Sequence, residues 1–378
     1  MMFIAIVGCG FVADLYLKTL PLHPHLALAG VFDRDSERLA RFARHHSVRA
    51  YRSLDELLGD RDVKIVANLT NPRSHVEISR AALLADKHVY SEKPLAMTID
   101  DARALVDLAE QRALQISSAP CSLLGETAQT MAKALRERRV GRVRAVYAEM
   151  DDGLVHRMPY RKWISASGAP WPHVDEFEVG CSLEHAGYSL PWLVGFFGAA
   201  TSVTAFASVQ IPDKAPGEIA PERMGPDFTL ACVQFASGVI ARLTCSIIAP
   251  HDHRVRVFGD EGVLWTKDTW RYRSPVYLRR YLTLRRRMFL NPLRESVRLL
   301  GTHLPQAASS GSAEMDFARG LSELALAVRE GRLSRLSPRF SLHVNELSLA
   351  ISAATKGGGR YDMLSKLDDV PASMPWAN

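Results

Sequence analysis

Phe3-Ile4-Ala5-Ile6-Val7-Gly8-Cys9-Gly10-Phe11-Val12-Ala13 opens the chain with a five-residue apolar run and a glycine turn. The run reads as a buried strand, and the turn passes directly into a helix. The pattern is GxGxxA. Gly8 permits the turn, Gly10 lets a pyrophosphate approach the backbone, and the small Ala13 lets helix and strand pack closely. Free N–H groups and the helix dipole at that terminus favour anions. Taken alone the motif is weak, because such turns occur without nucleotides. A second apolar run, Leu26–Phe32, ends in Asp33, 23 residues after Gly10. That is close to the ~20 residues at which an acid meets the adenosine ribose hydroxyls. The pair of features predicts dinucleotide binding, with Phe11 and Val12 at the phosphates. An acid at 33 repels a 2′-phosphate and favours NAD, while Arg34 beside it leaves NADP open.

Outward from this unit the alternation continues. Helix is expected over Ser36–His45, a helical turn over Ser53–Leu58, strand over Val63–Leu69, helix over Ser74–Ala85 and strand over His88–Tyr90. Strands and helices alternating at this length predict an α/β fold with a doubly wound parallel sheet. At the carboxyl end of one strand stands Thr70-Asn71-Pro72-Arg73-Ser74-His75, polar residues that a ribose or nicotinamide pocket can use and that a helix cap can use equally. After the next strand comes Lys87-His88-Val89-Tyr90-Ser91-Glu92-Lys93-Pro94. Ligands bind outside the carboxyl ends of parallel strands, so Lys93 is expected in the crevice, with Pro94 forcing the chain to turn before a helix near Thr98.

Composition restricts the function classes. A chain of 378 residues suits two domains. The five cysteines are scattered without a CxxC pair or zinc spacing, which points to reduced thiols, a cytoplasmic protein and no metal. The first residues carry no basic leader and read as a strand. No apolar run reaches the ~18 residues of a membrane helix. The net charge of +6 invites nucleic acid, but residues 271–300 hold nine Arg against one Glu; their local +8 leaves the rest of the chain at −2. The basicity belongs to one segment, expected as a surface arm or subunit contact, and nucleic acid is not an expected partner.

Gly8-Cys9-Gly10-Phe11-Val12-Ala13, Asp33, Thr70-Asn71-Pro72-Arg73-Ser74-His75 and above all Glu92-Lys93-Pro94 make the chain resemble the Gfo/Idh/MocA family of NAD(P)-dependent oxidoreductases. The resemblance covers essentially the whole chain. It implies a Rossmann dinucleotide-binding domain over residues 1–120, then a substrate-binding and oligomerisation α/β domain over 121–378 with a large, mostly antiparallel open sheet. It also implies a homodimer or homotetramer through that sheet, and action on a sugar or nucleotide sugar. Gly8, Gly10, Phe11, Val12, Asp33, Arg34, Thr70, Asn71, Pro72, His75, Glu92 and Lys93 become the cofactor residues, and Lys93 stands where nicotinamide and substrate hydroxyl meet.

The second half supports this by its own pattern. Val143–Asp151, Thr201–Gln210, Phe228–Phe235, Val239–Ile248, Arg254–Phe258 and Val263–Thr266 read as strands, with hairpin chemistry at Ser237-Gly238 and Gly259-Asp260-Glu261-Gly262. Residues 211–226 read as a long exposed loop, and two helices, Glu314–Glu330 and Leu342–Thr355, close the chain. The stretch Phe177–Tyr188 aligns with the family's substrate motif, an acid and a histidine four apart on one helix. Those places hold Glu184 and Tyr188, so the usual proton-transfer histidine is absent. His185 is expected to point away. Lys93, Tyr188 and Glu184 are the catalytic candidates: Tyr188 or Lys93 takes the hydroxyl proton, and the ammonium lowers the phenol pKa from ~10. Arg157, Tyr160, Trp163 and Trp171 join Lys93, Glu184 and Tyr188 as substrate-binding candidates, since aromatic faces with polar neighbours suit a sugar. His251-Asp252-His253 reads as a turn, because three consecutive side chains do not converge on one ion. Two other classes stay open: a glycosidase that oxidises its sugar transiently, and a dinucleotide-sensing regulator without turnover.

Overall fold

The computed structural model describes residues 1–306, 314–368 and 370–378. Its first layer follows from the apolar runs. Strand β1 (Met2–Val7) is followed by helix α1 (Phe11–Thr19), β2 (Leu26–Phe32), α2 (Ser36–His46), α3 (Leu54–Gly59), β3 (Ile65–Asn68), α4 (His75–Leu84), β4 (His88–Ser91), α5 (Ile99–Gln111) and β5 (Ile116–Ser118). All five strands are parallel in the order β2-β1-β3-β4-β5. The order reverses at β1, so the Gly8-Cys9-Gly10 turn sits at the topological switch point, where such sheets bind ligands. Side chains that hydrogen-bond their own backbone start the helices: the Asp35 carboxylate accepts from Glu37 and Arg38 N–H, and Thr98 Oγ1 accepts from Asp101 N–H.

The second half continues with α6 (Glu126–Arg136), β6 (Val143–Asp151), α7 (His173–Val179), α8 (Cys181–Glu184), α9 (Leu190–Phe197), β7 (Ala200–Ser208), β8 (Phe228–Phe235), β9 (Ile240–Ser246), β10 (Val255–Gly259), β11 (Gly262–Thr266), β12 (Val276–Leu284), β13 (Arg287–Leu290), β14 (Glu295–Val297), α10 (Arg319–Glu330), α11 (Pro338–Ser352) and β15 (Gly359–Asp362). The large sheet runs β13-β12-β11-β10-β6-β9-β8-β7-β15, with β14 on β12; β6 and β9 pair in parallel and the other pairs are antiparallel. One face is buried. The other leaves Tyr147, Phe206, Leu230 and Ile240 exposed. Helices α10 and α11 return to the first layer, where Ser341 Oγ accepts from Ser118 N–H at 3.0 Å.

Three expectations are corrected. Residues 211–226 form a loop, as expected, but it is exposed only in part: Ala215, Ile219 and Met224 are buried, and Lys214 makes a buried ion pair with Asp227 at 2.9 Å, which ties the segment down. The first closing helix starts at Arg319 instead of Glu314, because Asp316 folds back to pair with Arg319 and His23. The arginine-rich segment is no detached arm. It forms the β12–β14 edge of the large sheet, and the two-residue turn Arg285-Arg286 joins β12 to β13 with φ of 46° and 66°.

Candidate active site

The glycine turn makes a cradle. Gly8 has φ +100°, and a Cβ there would lie 2.6 Å from the Leu69 carbonyl carbon, whereas Gly10 has nothing within 4 Å of the place a Cβ would occupy. No side chain caps α1. Open space at Gly10 and an uncapped helix terminus fit a dinucleotide pyrophosphate. Asp33, at the end of β2, is buried and shapes the turn: its carboxylate accepts from Cys9 N–H at 2.8 Å and Asp35 N–H at 2.9 Å. Arg34 is exposed and is not among the residues that line the cleft. Arg38, in the first turn of α2, lines the cleft at this end, with its guanidinium 3.5 Å from Asp33.

Gly10, Phe11 and Val12 open into a cleft of about 410 Å³ that is also lined by Thr70, Asn71, Pro72, Glu92, Lys93, Trp171, Glu184 and Tyr188. Eleven of the residues singled out from sequence thus share one space. His75 does not. It is fully buried behind the wall, with Nδ1 2.6 Å from Pro94 O and Nε2 2.9 Å from Thr70 O, and burial holds its pKa low. It braces the two loops that carry Thr70 and Lys93. Glu92 is braced too, since Tyr16 Oη donates to it at 2.8 Å and Lys93 N–H at 3.0 Å. The Lys93–Pro94 peptide is cis.

Lys93 Nζ is in direct contact with the Glu184 carboxylate. Burial works against the ammonium, but the charge of Glu184 outweighs it and the lysine pKa rises. Burial likewise opposes the Glu184 charge, and Lys93 outweighs it and keeps that carboxyl ionised. Burial, and then the charge of Glu184, pushes the carboxyl pKa of Glu176, which lines the cleft beside them, well above its usual range. For Tyr188 the sequence expectation fails. Burial pushes the phenol pKa up, and Lys93, whose charge is already engaged by Glu184, does not reverse the shift.

Nor do Glu184 and Tyr188 lie on one continuous helix. α8 ends at Glu184 and a separate 3₁₀ turn, Ala186–Tyr188, carries the tyrosine. The break brings His185 into the cleft wall, against expectation, where it stacks on Trp270 at 6.3 Å between centroids and contacts Asp152. Tyr188 packs on the same indole at 5.1 Å. Of Tyr160, Trp163 and Trp171, only Trp171 lines the cleft. Trp163 supports it edge-on at 5.0 Å, and Tyr160 is buried beneath it with Oη donating to Lys214 O. Arg157 is exposed outside the cleft. Arg38, Asp152, Glu176, His185 and Trp270 were not legible as site residues; only the short glycine-flanked helix Cys181–Glu184 hinted that the helical period would fail after Glu184.

Comparison with known proteins agrees with this geometry. Residues 2–119 match the oxidoreductase family with NAD-binding Rossmann fold, and residues 128–265 match the GFO/IDH/MocA C-terminal domain. The trans-1,2-dihydrobenzene-1,2-diol dehydrogenase of Bos taurus is 27% identical over 263 residues, 68% of this chain and 72% of that protein. In fold, the chain is similar to the UDP-N-acetylglucosamine 3-dehydrogenase of Acidithiobacillus ferrooxidans, with a TM-score of 0.69 and 20% identity over 94% of this chain and 98% of the other. It is also similar to a 3-ketoreductase of Actinomadura kijaniata in complex with TDP-benzene and NADP, with a TM-score of 0.68 and 20% identity over 94% and 97% of the two chains. A dinucleotide cradle at the switch point of a parallel sheet, joined to a large open sheet across one cleft, is accounted for by both matches: the chain belongs to the Gfo/Idh/MocA family of NAD(P)-dependent oxidoreductases.

Proposed function

We propose that the cleft transfers hydride between the nicotinamide of NAD(P) and a hydroxyl or ketone carbon of a sugar or nucleotide sugar. The observation that carries this reading is the contact of Lys93 with Glu184, reached from the two halves of the chain, in a cleft continuous with the Gly10 cradle. Gly8, Gly10, Phe11, Val12, Thr70, Asn71 and Pro72 would hold the dinucleotide, with Asp33 and Arg38 at its ribose. Bound there, the nicotinamide supplies or accepts the hydride. Lys93 and Tyr188 both rest protonated, so they present two donors to a carbonyl oxygen and stabilise the negative charge that grows on it during reduction. In the oxidising direction one of them must first release its proton. Glu184 holds the ammonium in place, and Trp171 offers an apolar face to a pyranose.

The carbohydrate class is supported by the UDP-N-acetylglucosamine named for one structural relative and by the indole beside charged groups. A division near residue 120, a cytoplasmic setting and pairing of two copies across the exposed sheet face belong to the same proposal. Incubating the protein with NADH or NADPH and a panel of keto-sugars and nucleotide keto-sugars, followed at the nicotinamide absorbance, tests it. Oxidation of either cofactor by a keto-sugar supports the reading. Cofactor binding without turnover on any carbonyl would instead favour a dinucleotide sensor.

A further inference from the structure

His251-Asp252-His253 does not converge on an ion by itself, but the fold supplies a different acid. Asp151 and Asp252 exchange backbone hydrogen bonds of 3.0 and 2.9 Å in an antiparallel bridge. Side chains alternate across such a ladder, so Asp252 takes one face, while His251 and His253 share the other with Asp152. One donor atom from each of Asp152, His251 and His253 lies within 4.8 Å of the other two.

The donors differ in a useful way. The His253 side chain is fully buried, with Nε2 2.6 Å from Asp152 Oδ1; its Nδ1 is buried without a hydrogen-bond partner among the described residues, 3.6 Å from Asp268 Oδ1. The His251 ring lies 4.0 Å from the His253 ring, centroid to centroid, and is exposed, which leaves a way in from solvent. Asp152 and Asp268 thus face the two nitrogens of His253, and His251, the third donor of the cluster, belongs to neither pair.

We propose that Asp152, His251 and His253 bind one divalent transition cation of the zinc class, with Asp268 supporting His253. Two imidazoles and a carboxylate suit Zn²⁺ or Co²⁺ in four-coordination completed by water, and suit Mg²⁺ or Ca²⁺ poorly. The ion sits outside the hydride chemistry. Its reach into the cleft is indirect: Asp152 also contacts His185, so the cation fixes His185 from behind as a positioning element.

The test uses the full chain, stripped with EDTA, exposed to a slight excess of Zn²⁺ or Co²⁺ and desalted, with bound metal measured by elemental analysis. One equivalent per chain is expected, with the visible absorption of four-coordinate cobalt. His251→Ala and His253→Gln should each lose stoichiometric retention with unchanged far-UV circular dichroism, and Asp268→Asn should weaken binding by about 10–100-fold, the usual effect of removing a supporting group. Wild-type protein that retains no metal overturns the proposal, and so does retention that survives both histidine changes. Should a histidine variant fail to fold, paramagnetic shifts in cobalt-loaded wild type decide: two shifted imidazoles support the site and none overturns it.

Discussion

The Lys93 ammonium and the Glu184 carboxylate, 91 positions apart in sequence, are in direct contact and keep each other charged in a cleft that otherwise disfavours both charges. Removing one partner exposes the other to burial alone. Glu184→Gln should therefore let the lysine pKa fall. If the lysine is the acid in reduction, activity in this variant should decline as pH rises, where the wild type stays flat. A pH profile of kcat for keto-sugar reduction reads this out; identical profiles would detach Glu184 from the role.

Tyr188 and Lys93 are expected to work as a unit. Tyr188→Phe should lower kcat by about 10²–10⁴ with little change in cofactor affinity, and Lys93→Ala should do at least as much. The double variant should fall far short of the product of the two losses. Steady-state kinetics of the four proteins are sufficient. A Tyr188→Phe enzyme with normal turnover would return the ring to packing against Trp270.

Direction also follows from the proton inventory. Burial raises the Tyr188 pKa, and the Glu184 charge raises that of Lys93, so both donors stay protonated through neutral pH. Reduction should be independent of pH there, and oxidation should climb toward alkaline pH as the base form becomes populated. Initial rates measured both ways on one substrate pair check this, and oxidation that peaks near neutrality would require a different base.

Cofactor choice should turn on Asp33 and Arg38 together. Asp33→Ser removes a charge that opposes a 2′-phosphate and leaves the Arg38 guanidinium free to meet one, so preference should move toward NADP. Adding Arg38→Ala should cancel the gain. The first change also takes an acceptor from the Cys9 and Asp35 N–H groups, at about 1 kcal/mol for each lost bond. Titrations of both cofactors, with thermal melts alongside, separate the two effects.

The exposed face of the large sheet offers a fifth measurement. Phe206 and Leu230 stand opposite each other on adjacent strands, 57% and 37% exposed. If two copies meet there, Phe206→Asp should shift the protein to monomer in sedimentation without altering cofactor binding. An unchanged oligomer would move the contact elsewhere.

Most of the fold was legible because its signals are local. The β1 apolar run, the glycines and Asp33 fall within 31 positions, and the strands of the large sheet carry clean alternation. The site was legible where a motif fixes a residue on a strand end, as with Thr70 and Lys93. It was not legible where tertiary contacts decide. Nothing near Arg38 announces that it, and not Arg34, lines the cleft; that depends on where α2 starts. His185 was misjudged because an unbroken helical period was applied across a helix that stops at Glu184. Asp152 and His253 meet only through strand pairing, which no spacing in the chain reveals.

The Arg285-Arg286 turn carries a further consequence. Both residues hold left-handed backbone angles, which cost an ordinary L-residue roughly 1–2 kcal/mol each and which a two-residue hairpin normally gives to Asn-Gly. The tip of the β12–β13 ribbon is thus spring-loaded by its own backbone, with Leu284 and Met288 62% and 65% exposed beside it and no core to hold it shut. Amide exchange should find this ribbon unzipping from its tip well before the rest of the sheet yields, and an Asn-Gly replacement should slow that opening by more than tenfold while leaving the melting of the sheet itself where it was.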